Sequence, residues 1–431
     1  MKKYFLLLTI FVISTFLIFA GGQKEKVPSG GKKPVEITFM TWNSGYHLKE
    51  EQELANQFMK AHPGIKVSLI SVPQGYDKKV LTATAAGNTP DGLLMWNTPM
   101  YVEAGVCEDL TTYIKRDHWD MNQYHPVLKA WAEYKGGIYG LPRDYTPRVI
   151  YYNKNVFDEA GVPYPKFTGW TFDDFLKIVE KLTNHKKGAA ARYGFVAVPG
   201  DTYALQGYIW ANGGDLCSPD GMKASGYINS PQVVEVVKWY KKIFDISIQT
   251  TTPDAYQNLG QNEFQSGIVG MMDNGSWPIN IYRKDKSLRF GIVAPPVPRK
   301  GLKPSPVIHS STLSMFKAGK KENKDAVWEY IKYVSSPAGA RFFEKARYSI
   351  GPIPRVTAQD KDFLADPYFG PIVKVGNMAD HVPVFTRNPR WFKADSEFRT
   401  ALEKIFISNA DIQSTLDKAA KKMDKILQGK E

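Results

Sequence analysis

The sequence predicts an α/β protein built from two domains. Three observations lead there. Between residues 35 and 96, strand-like and helix-like stretches alternate as β-α-β-α-β, which implies a parallel sheet with helices on its faces. The chain has 431 residues, too many for one ordinary core. Its 43% hydrophobic and 23% charged content is that of a folded soluble chain, which sets aside disorder as the default reading.

The elements follow in order. Lys2 and Lys3 precede the uncharged apolar run Tyr4 to Ala20, and Gly21-Gly22 comes next. A basic start, an apolar stretch and a small-residue exit describe a secretory signal peptide over 1–22. An uncleaved anchor is the alternative. Cleavage near Ala20 to Gly22 would lower the formal charge from +13 to +11 by removing Lys2 and Lys3. No cysteine lies near the exit, so a lipid-modified terminus is not available. Residues 23–34, ending in "VPSGGKKP", read as a linker. "VEITFMTW" (35–42) is a strand, Lys49 to Ala61 an amphipathic helix, and "IKVSLISV" (65–72) a second strand. Tyr76 to Ala86 is a helix closed by Gly87, and "DGLLMW" (91–96) is a short buried strand.

Further on, "GIYGLP" (137–142) and "RVIYYN" (148–153) read as strands. A helix starts at Thr171, with Thr171 as N-cap and Asp174 three residues on. Another starts at Ser230-Pro231, with Pro at its first position. "RFGIVAPPVP" (289–298) is a strand leading into a proline-rich crossing. Ala326 to Val334 and Ala338 to Ala346 are helical, as is the tail from about Asp395 to Leu427. Between them lies "GIVGMMDNGSWP" (267–278). Here a buried strand is expected to end in the turn Asp273-Asn274-Gly275, with Trp277 just beyond. Trp277 is either core or a flat apolar face offered to something outside the chain.

The basic balance raises nucleic acid as a partner. The lysines are spread out, however, and no helix-turn-helix or zinc-finger spacing occurs, so no nucleic acid is expected. The two cysteines, Cys107 and Cys217, cannot build a disulfide framework and read as buried thiols. Ser314-Met315-Phe316-Lys317 matches S-x-x-K but sits in an alternating strand, where Ser and Lys face opposite ways. Tyr151-Tyr152 suggests paired phenolates for iron. Adjacent strand residues diverge, so one of the two should be core. The seven histidines show no metal-binding spacing. No catalytic constellation, cofactor motif or metal set is found.

Four stretches carry a resemblance: "TPDGLLMWNTPMYVEAGVCEDLTTYI" (89–114), "GIYGLPRDYTPRVIYYNKNVFDEAGVPYPKFTGWTFDDFLKIVEKLT" (137–183), "IWANGGDLCSPDG" (209–221) and "EFQSGIVGMMDNGSW" (263–277). In this order they resemble bacterial extracellular solute-binding proteins of the sugar-type ABC importers, the maltose-binding-protein-like type. The resemblance spans nearly all of the chain after the apolar start. It implies a two-lobe periplasmic binding fold with a cleft between the lobes and three inter-lobe crossings. Lobe one is then 35–145 with 298–347, and lobe two 147–294 with 350–431. Crossings are expected near Asp144 to Pro147, Ala294 to Val297 and Ser349 to Gly351.

A sugar offers apolar C–H faces and a rim of hydroxyls, so its cleft needs aromatic faces and hydrogen-bonding side chains at strand and loop ends. Trp42 ends the first strand before a polar turn, and Trp96 with Asn97 ends the third. Both strand ends are where an open parallel sheet places ligands. Asp144 and Tyr145 lie in the first crossing. Asp144 serves either the ligand or an ion pair with Arg143 or Arg148. Gly275 would let a ligand approach the backbone beside Trp277. By resemblance Tyr203, Trp277 and Trp391 are stacking positions, and Trp210 reads as core. His309, Ser310 and Arg387 complete the expected set.

The expected protein is therefore an exported carbohydrate-binding component of an ABC importer. It would be periplasmic or extracellular, a monomer, without cofactor or catalysis, and would deliver its ligand to a membrane permease. A secreted carbohydrate-active enzyme is the alternative. So is the same fold holding a phosphorylated polyol, a polyamine or a metal ion.

Overall fold

A computed structural model describes residues 33–184, 186, 191–249 and 261–430. The expected signal peptide, 1–22, and the linker up to residue 32 lie outside them. Among the described residues no helix is long and apolar enough to cross a membrane.

Two five-stranded sheets organise the described residues. In the first, the spatial order is Ile65–Ser71, Val35–Thr41, Gly92–Met95, Ile308–Met315 and Leu141–Pro147. The first three run parallel, as the β-α-β-α-β rhythm requires. Ile308–Met315 is antiparallel to both its neighbours, because it arrives from the other lobe. In the second sheet the order is Phe290–Val293, Val149–Asn153, Val269–Asn274, Tyr193–Ala197 and Ile248–Gln249. Each sheet has its own apolar core: Phe39, Phe58, Trp328 and Phe343 in one, and Tyr151, Phe175, Trp239 and Phe398 in the other.

Local signals set the helix ends. Thr171 accepts the Asp174 N–H at 3.2 Å while Asp174 accepts the Thr171 N–H at 2.9 Å, a closed capping box starting Phe172–Leu182. The Ser230 hydroxyl accepts the Val233 N–H at 3.4 Å and starts Pro231–Ile246. The first helix, Gly45–Ala61, begins before the expected Lys49 and buries Glu51 beside Leu54, Ala55 and Phe58. The tail is two helices, Trp391–Ser408 and Ile412–Leu427, broken where Asn409 takes a left-handed φ of 53°. Tyr151 is fully buried and Tyr152 only partly so, as strand alternation demands. Ser314 is buried and donates to the Tyr139 carbonyl at 2.6 Å, whereas Lys317 is exposed. Cys107 and Cys217 are free and buried.

One expectation about the second sheet fails. Asp273 and Asn274 do not form a turn; they are the last residues of the strand, paired with Ile150 and Val149. The cause is electrostatic. Asp273 is buried, and its carboxylate accepts from Arg148 Nε at 2.7 Å and from the Tyr208 hydroxyl at 2.8 Å.

The passages between the sheets lie side by side. Pro147, Thr146 and Tyr145 pair with Ile308, His309 and Ser310, and Tyr145 also bridges Ile350. Ala294 to Val297 was expected to be a crossing. It stays with the second lobe, because Val297 exchanges backbone bonds with Trp170 (3.0 Å) and Phe172 (2.8 Å), so the chain crosses later, at Val307 to Ser310. At the third passage Ile350 packs in the second core, Ile353 and Val356 return to the first, and Phe363 is in the second.

Glu344 anchors this third passage. It is fully buried and accepts from the Gly351 N–H (3.3 Å) and the Thr357 hydroxyl (2.5 Å). Burial raises its carboxyl to about 7; Asp360 adds to that shift, while the two hydrogen bonds and Arg341 oppose it. The folded form thus keeps a proton that the unfolded chain releases above about pH 4.3. Glu344's own contribution to stability therefore falls as pH rises from there to about 7 and levels off above, by up to about 3 kcal/mol, while His309, whose folded imidazole is lowered to about 3, contributes in the opposite sense up to about pH 6.5. Urea unfolding of the wild type and of Glu344→Gln at a series of pH values should isolate it: the stability of the wild type relative to the variant should decline between about pH 4.3 and 7 and stay level above.

Candidate ligand-binding site

Between the sheets lies a cavity of about 930 Å³, near the top of the range of roughly 300–1,000 Å³ usual for small-molecule sites. Strand ends and the three passages surround it. Trp42 follows the first strand and meets Tyr76 edge-on at 5.2 Å. Trp96 follows the third strand; its indole N–H donates to Asp77 at 3.0 Å. Asp77 also accepts from the Tyr101 hydroxyl and lines the cavity at the start of the helix Tyr76–Ala85.

The floor is a buried ionic network. Arg143 donates to Glu51 and, through Nε and Nη2, to Asp144 at 3.3 and 3.2 Å. Asp144 accepts in addition from Ser311 (2.5 Å) and Ser349 (2.9 Å). Asn43 donates to Glu51 (2.7 Å) and to the Tyr348 hydroxyl (2.9 Å). One guanidinium therefore faces two carboxylates. The ion pair with Arg143 considered for Asp144 is present, and both its oxygens are already engaged by neighbours. Ser310 donates to the Asp144 carbonyl at 3.0 Å. Tyr145 touches the cavity, but it is buried and its backbone is committed to Ile350 at 3.0 and 3.2 Å.

The opposite wall is aromatic. His309 sits 4.6 Å from the Tyr203 ring and 5.2 Å, edge-on, from Trp277. The Tyr203 hydroxyl donates to the Ile308 carbonyl at 2.5 Å. Burial, helped by Arg148, lowers the His309 imidazole to about 3, so the ring is neutral at ordinary pH. Among the described residues, His309 Nε2 and Trp277 Nε1 have no hydrogen-bond partner. Buried polar atoms left so are costly, and a hydroxyl-bearing partner would relieve them.

Eight of the twelve expected residues line this cavity: Trp42, Trp96, Asp144, Tyr145, Tyr203, Trp277, His309 and Ser310. Four do not. Asn97 is 1% exposed and caps the helix Thr98–Glu103 by accepting the Met100 N–H at 3.2 Å. Gly275 does not admit a ligand, because a Cβ there would lie 2.1 Å from the Trp277 ring. Its missing side chain makes room for the indole of its own chain. Arg387 is held away from the cavity by Asp215 (2.7 Å) and the Cys217 carbonyl (3.1 Å). Trp391 is 2% exposed in the second core, and its neighbour Phe392 lines the cavity instead. On a helix the next residue is turned by about 100°, so a shift of one position exchanges core for cleft.

Glu51, Tyr348, Ser349, Phe385 and Phe392 carried no expectation of a role at the site, and Arg143 only that of a pair with Asp144. Glu51 and Arg143 are 92 residues apart and carry no local signal of pairing. Asp77 was legible in principle, as an acid in the first turn of a helix facing a strand end.

A family model described as "Bacterial extracellular solute-binding protein" matches residues 53–371. The chain belongs to that family. Among curated solute-binding relatives, the maltotriose-binding protein of Pyrococcus abyssi is 26% identical over 390 residues, 89% of this chain and 80% of that one. Of solved structures, the Listeria monocytogenes substrate-binding protein Lmo0181 in complex with cycloalternan superposes with a TM-score of 0.77 at 21% identity, over 92% of this chain and 100% of that one. UgpB from Mycobacterium tuberculosis in complex with glycerophosphocholine gives a TM-score of 0.76 at 21% identity, over 93% of this chain and 99% of that one. At such identities the two structures speak for the fold alone, which is the two-lobe α/β architecture of solute-binding proteins.

Arg143→Met would leave Glu51 and Asp144 buried without their counter-charge and should cost about 3–5 kcal/mol in urea unfolding. Gly275→Ala should push the Trp277 indole off its seat. Near-ultraviolet circular dichroism should change while the far-ultraviolet spectrum does not; an unchanged near-ultraviolet signal would mean that the ring does not rest there.

Proposed function

We propose that the protein is the carbohydrate-binding component of an ABC importer, exported by its N-terminal segment. It captures a short saccharide by closing its lobes and delivers it to a membrane permease. The observation that carries this is the cavity wall. Trp42, Trp96, Tyr203 and Trp277 offer apolar faces to sugar C–H groups, beside unsatisfied polar atoms on Trp277 and His309 that suit hydroxyls. The maltotriose-binding relative is in keeping with it. Closure would pivot on the paired passages at 145–147, 308–310 and 350, where a few dihedrals absorb the motion.

The UgpB likeness keeps a phosphorylated polyol in view as the second reading. Charge argues against it. Arg143 faces Glu51 and Asp144, and Arg148 faces Asp273 and Asp201, so each buried cation stands between two carboxylates. The charged lining of the cavity, Asp77 and Asp144 against Lys78 and Arg143, carries no surplus positive charge to hold a phosphate, and an uncharged polyol needs none.

A thermal-shift screen over mono- and oligosaccharides, glycerophosphodiesters and polyamines tests the reading. A saccharide at a hundred times its Kd should add about 2.7 kcal/mol of apparent stability. A shift with glycerophosphodiesters or polyamines and none with saccharides would refute it. Product analysis after incubation should find the sugar unchanged. Trp277→Ala should weaken binding by about tenfold or more with the fold retained; calorimetry and far-ultraviolet circular dichroism read the two effects separately.

A further inference from the structure

One end of the cavity is closed by rings from both lobes. Trp96 and Trp131 come from the first lobe, Phe385 and Phe392 from the second, and all four line the cavity. Trp96 lies 5.5 Å from Phe385 and 5.1 Å from Phe392, and Trp131 lies 5.2 Å from Phe385. These are contact distances between aromatic rings, so no sugar ring passes between them. Behind the wall there is core rather than channel: Trp131 and Phe385 are each 1% exposed.

Both halves of the wall are held in place. The Trp131 indole N–H donates to the Trp96 carbonyl at 2.7 Å, and the Trp131 carbonyl accepts from the Thr98 hydroxyl at 2.7 Å. Beside Phe385, the Val384 N–H donates to the Gln206 side chain at 3.1 Å. Trp96 and Phe392 are only partly buried and keep apolar surface toward the cavity. The cavity also has an exposed rim, at Pro73, Gly75 and Lys78.

We propose that this wall makes the site a reader of chain ends: a saccharide enters with one terminal ring against Trp96 and Phe392, and any further units extend away from the wall. Phe392 is then a specificity-determining residue: like Trp96 it is only partly buried and meets the terminal ring, but unlike Trp96, whose indole N–H is bonded to Asp77, it can be truncated without losing a polar partner. The inference rests on the carbohydrate reading above. Its consequence is polarity. A bulky group on the terminal ring at the wall collides with fixed aromatics, while the same bulk on the other terminus does not meet the wall.

The test uses the full chain and the saccharide with the largest thermal shift, maltotriose being tried first. It is titrated by calorimetry unmodified, with an aryl group on its reducing end, and with a benzylidene acetal on its non-reducing end. One cap should weaken binding by about tenfold or more and the other by less than about threefold, in line with what one misfitting group costs at a shaped pocket. Phe392→Ala should restore most of the lost affinity for the rejected form. Phe392→Leu, which keeps apolar bulk, should not, and both variants should melt close to the wild type. Equal tolerance of the two caps, equal rejection of both, or no relief in Phe392→Ala would overturn the end wall while leaving carbohydrate binding intact. A wild-type protein that binds no saccharide would overturn the carbohydrate reading itself, and this inference with it.

Discussion

The Asp144 carboxylate is the constraint on which the rest of the structure turns. It accepts from Arg143 on its own strand, from Ser311 on the strand that returns from the second lobe, and from Ser349 on the third passage. One buried group thereby ties together the three segments that join the lobes. Arg143 carries the same knot into the first lobe through Glu51 on the opening helix. Such a network is costly to bury and strongly destabilising to break halfway, so its members act as a unit. The bonds that hold the cavity floor together are thus the same ones that join the three passages.

That constraint divides the labour in the cavity. On the floor Arg143, Asp144, Ser311 and Ser349 are committed to one another, while Glu51 Oε2 and His47 Nδ1 lack a hydrogen-bond partner among the described residues. The wall of Tyr203, Trp277 and His309 presents ring faces and two unsatisfied polar atoms. Burial keeps His309 neutral, so no charge develops there at ordinary pH. A ligand suited to this division is flat-faced, rich in hydroxyls and uncharged. Arg148 repeats the logic of the floor within the second lobe by pairing with Asp273 and Asp201.

Close packing explains how small residues and single-residue shifts matter here. Gly275 is required by the ring of Trp277, two positions on, rather than by anything outside the chain. Phe392 faces the cleft and Trp391 the core because they are neighbours on one helix. Both cases show a functional surface set by what its own backbone must accommodate.

The sequence by itself determined what local patterns can carry. The β-α-β-α-β rhythm, the capping box at Thr171 and Asp174, the Ser230-Pro231 start and the choice of one core tyrosine at 151–152 all follow from spacing within a few residues. Aromatics at strand ends were legible too, since strand ends face the cleft in such sheets. Only the tertiary structure decided which polar groups remain available. Asp144 and Glu51 are drawn to a guanidinium, and Asp273 is the end of a strand and not a turn. Those outcomes depend on partners brought near by the fold, in several cases from tens to hundreds of residues away, and periodicity holds no record of such pairings.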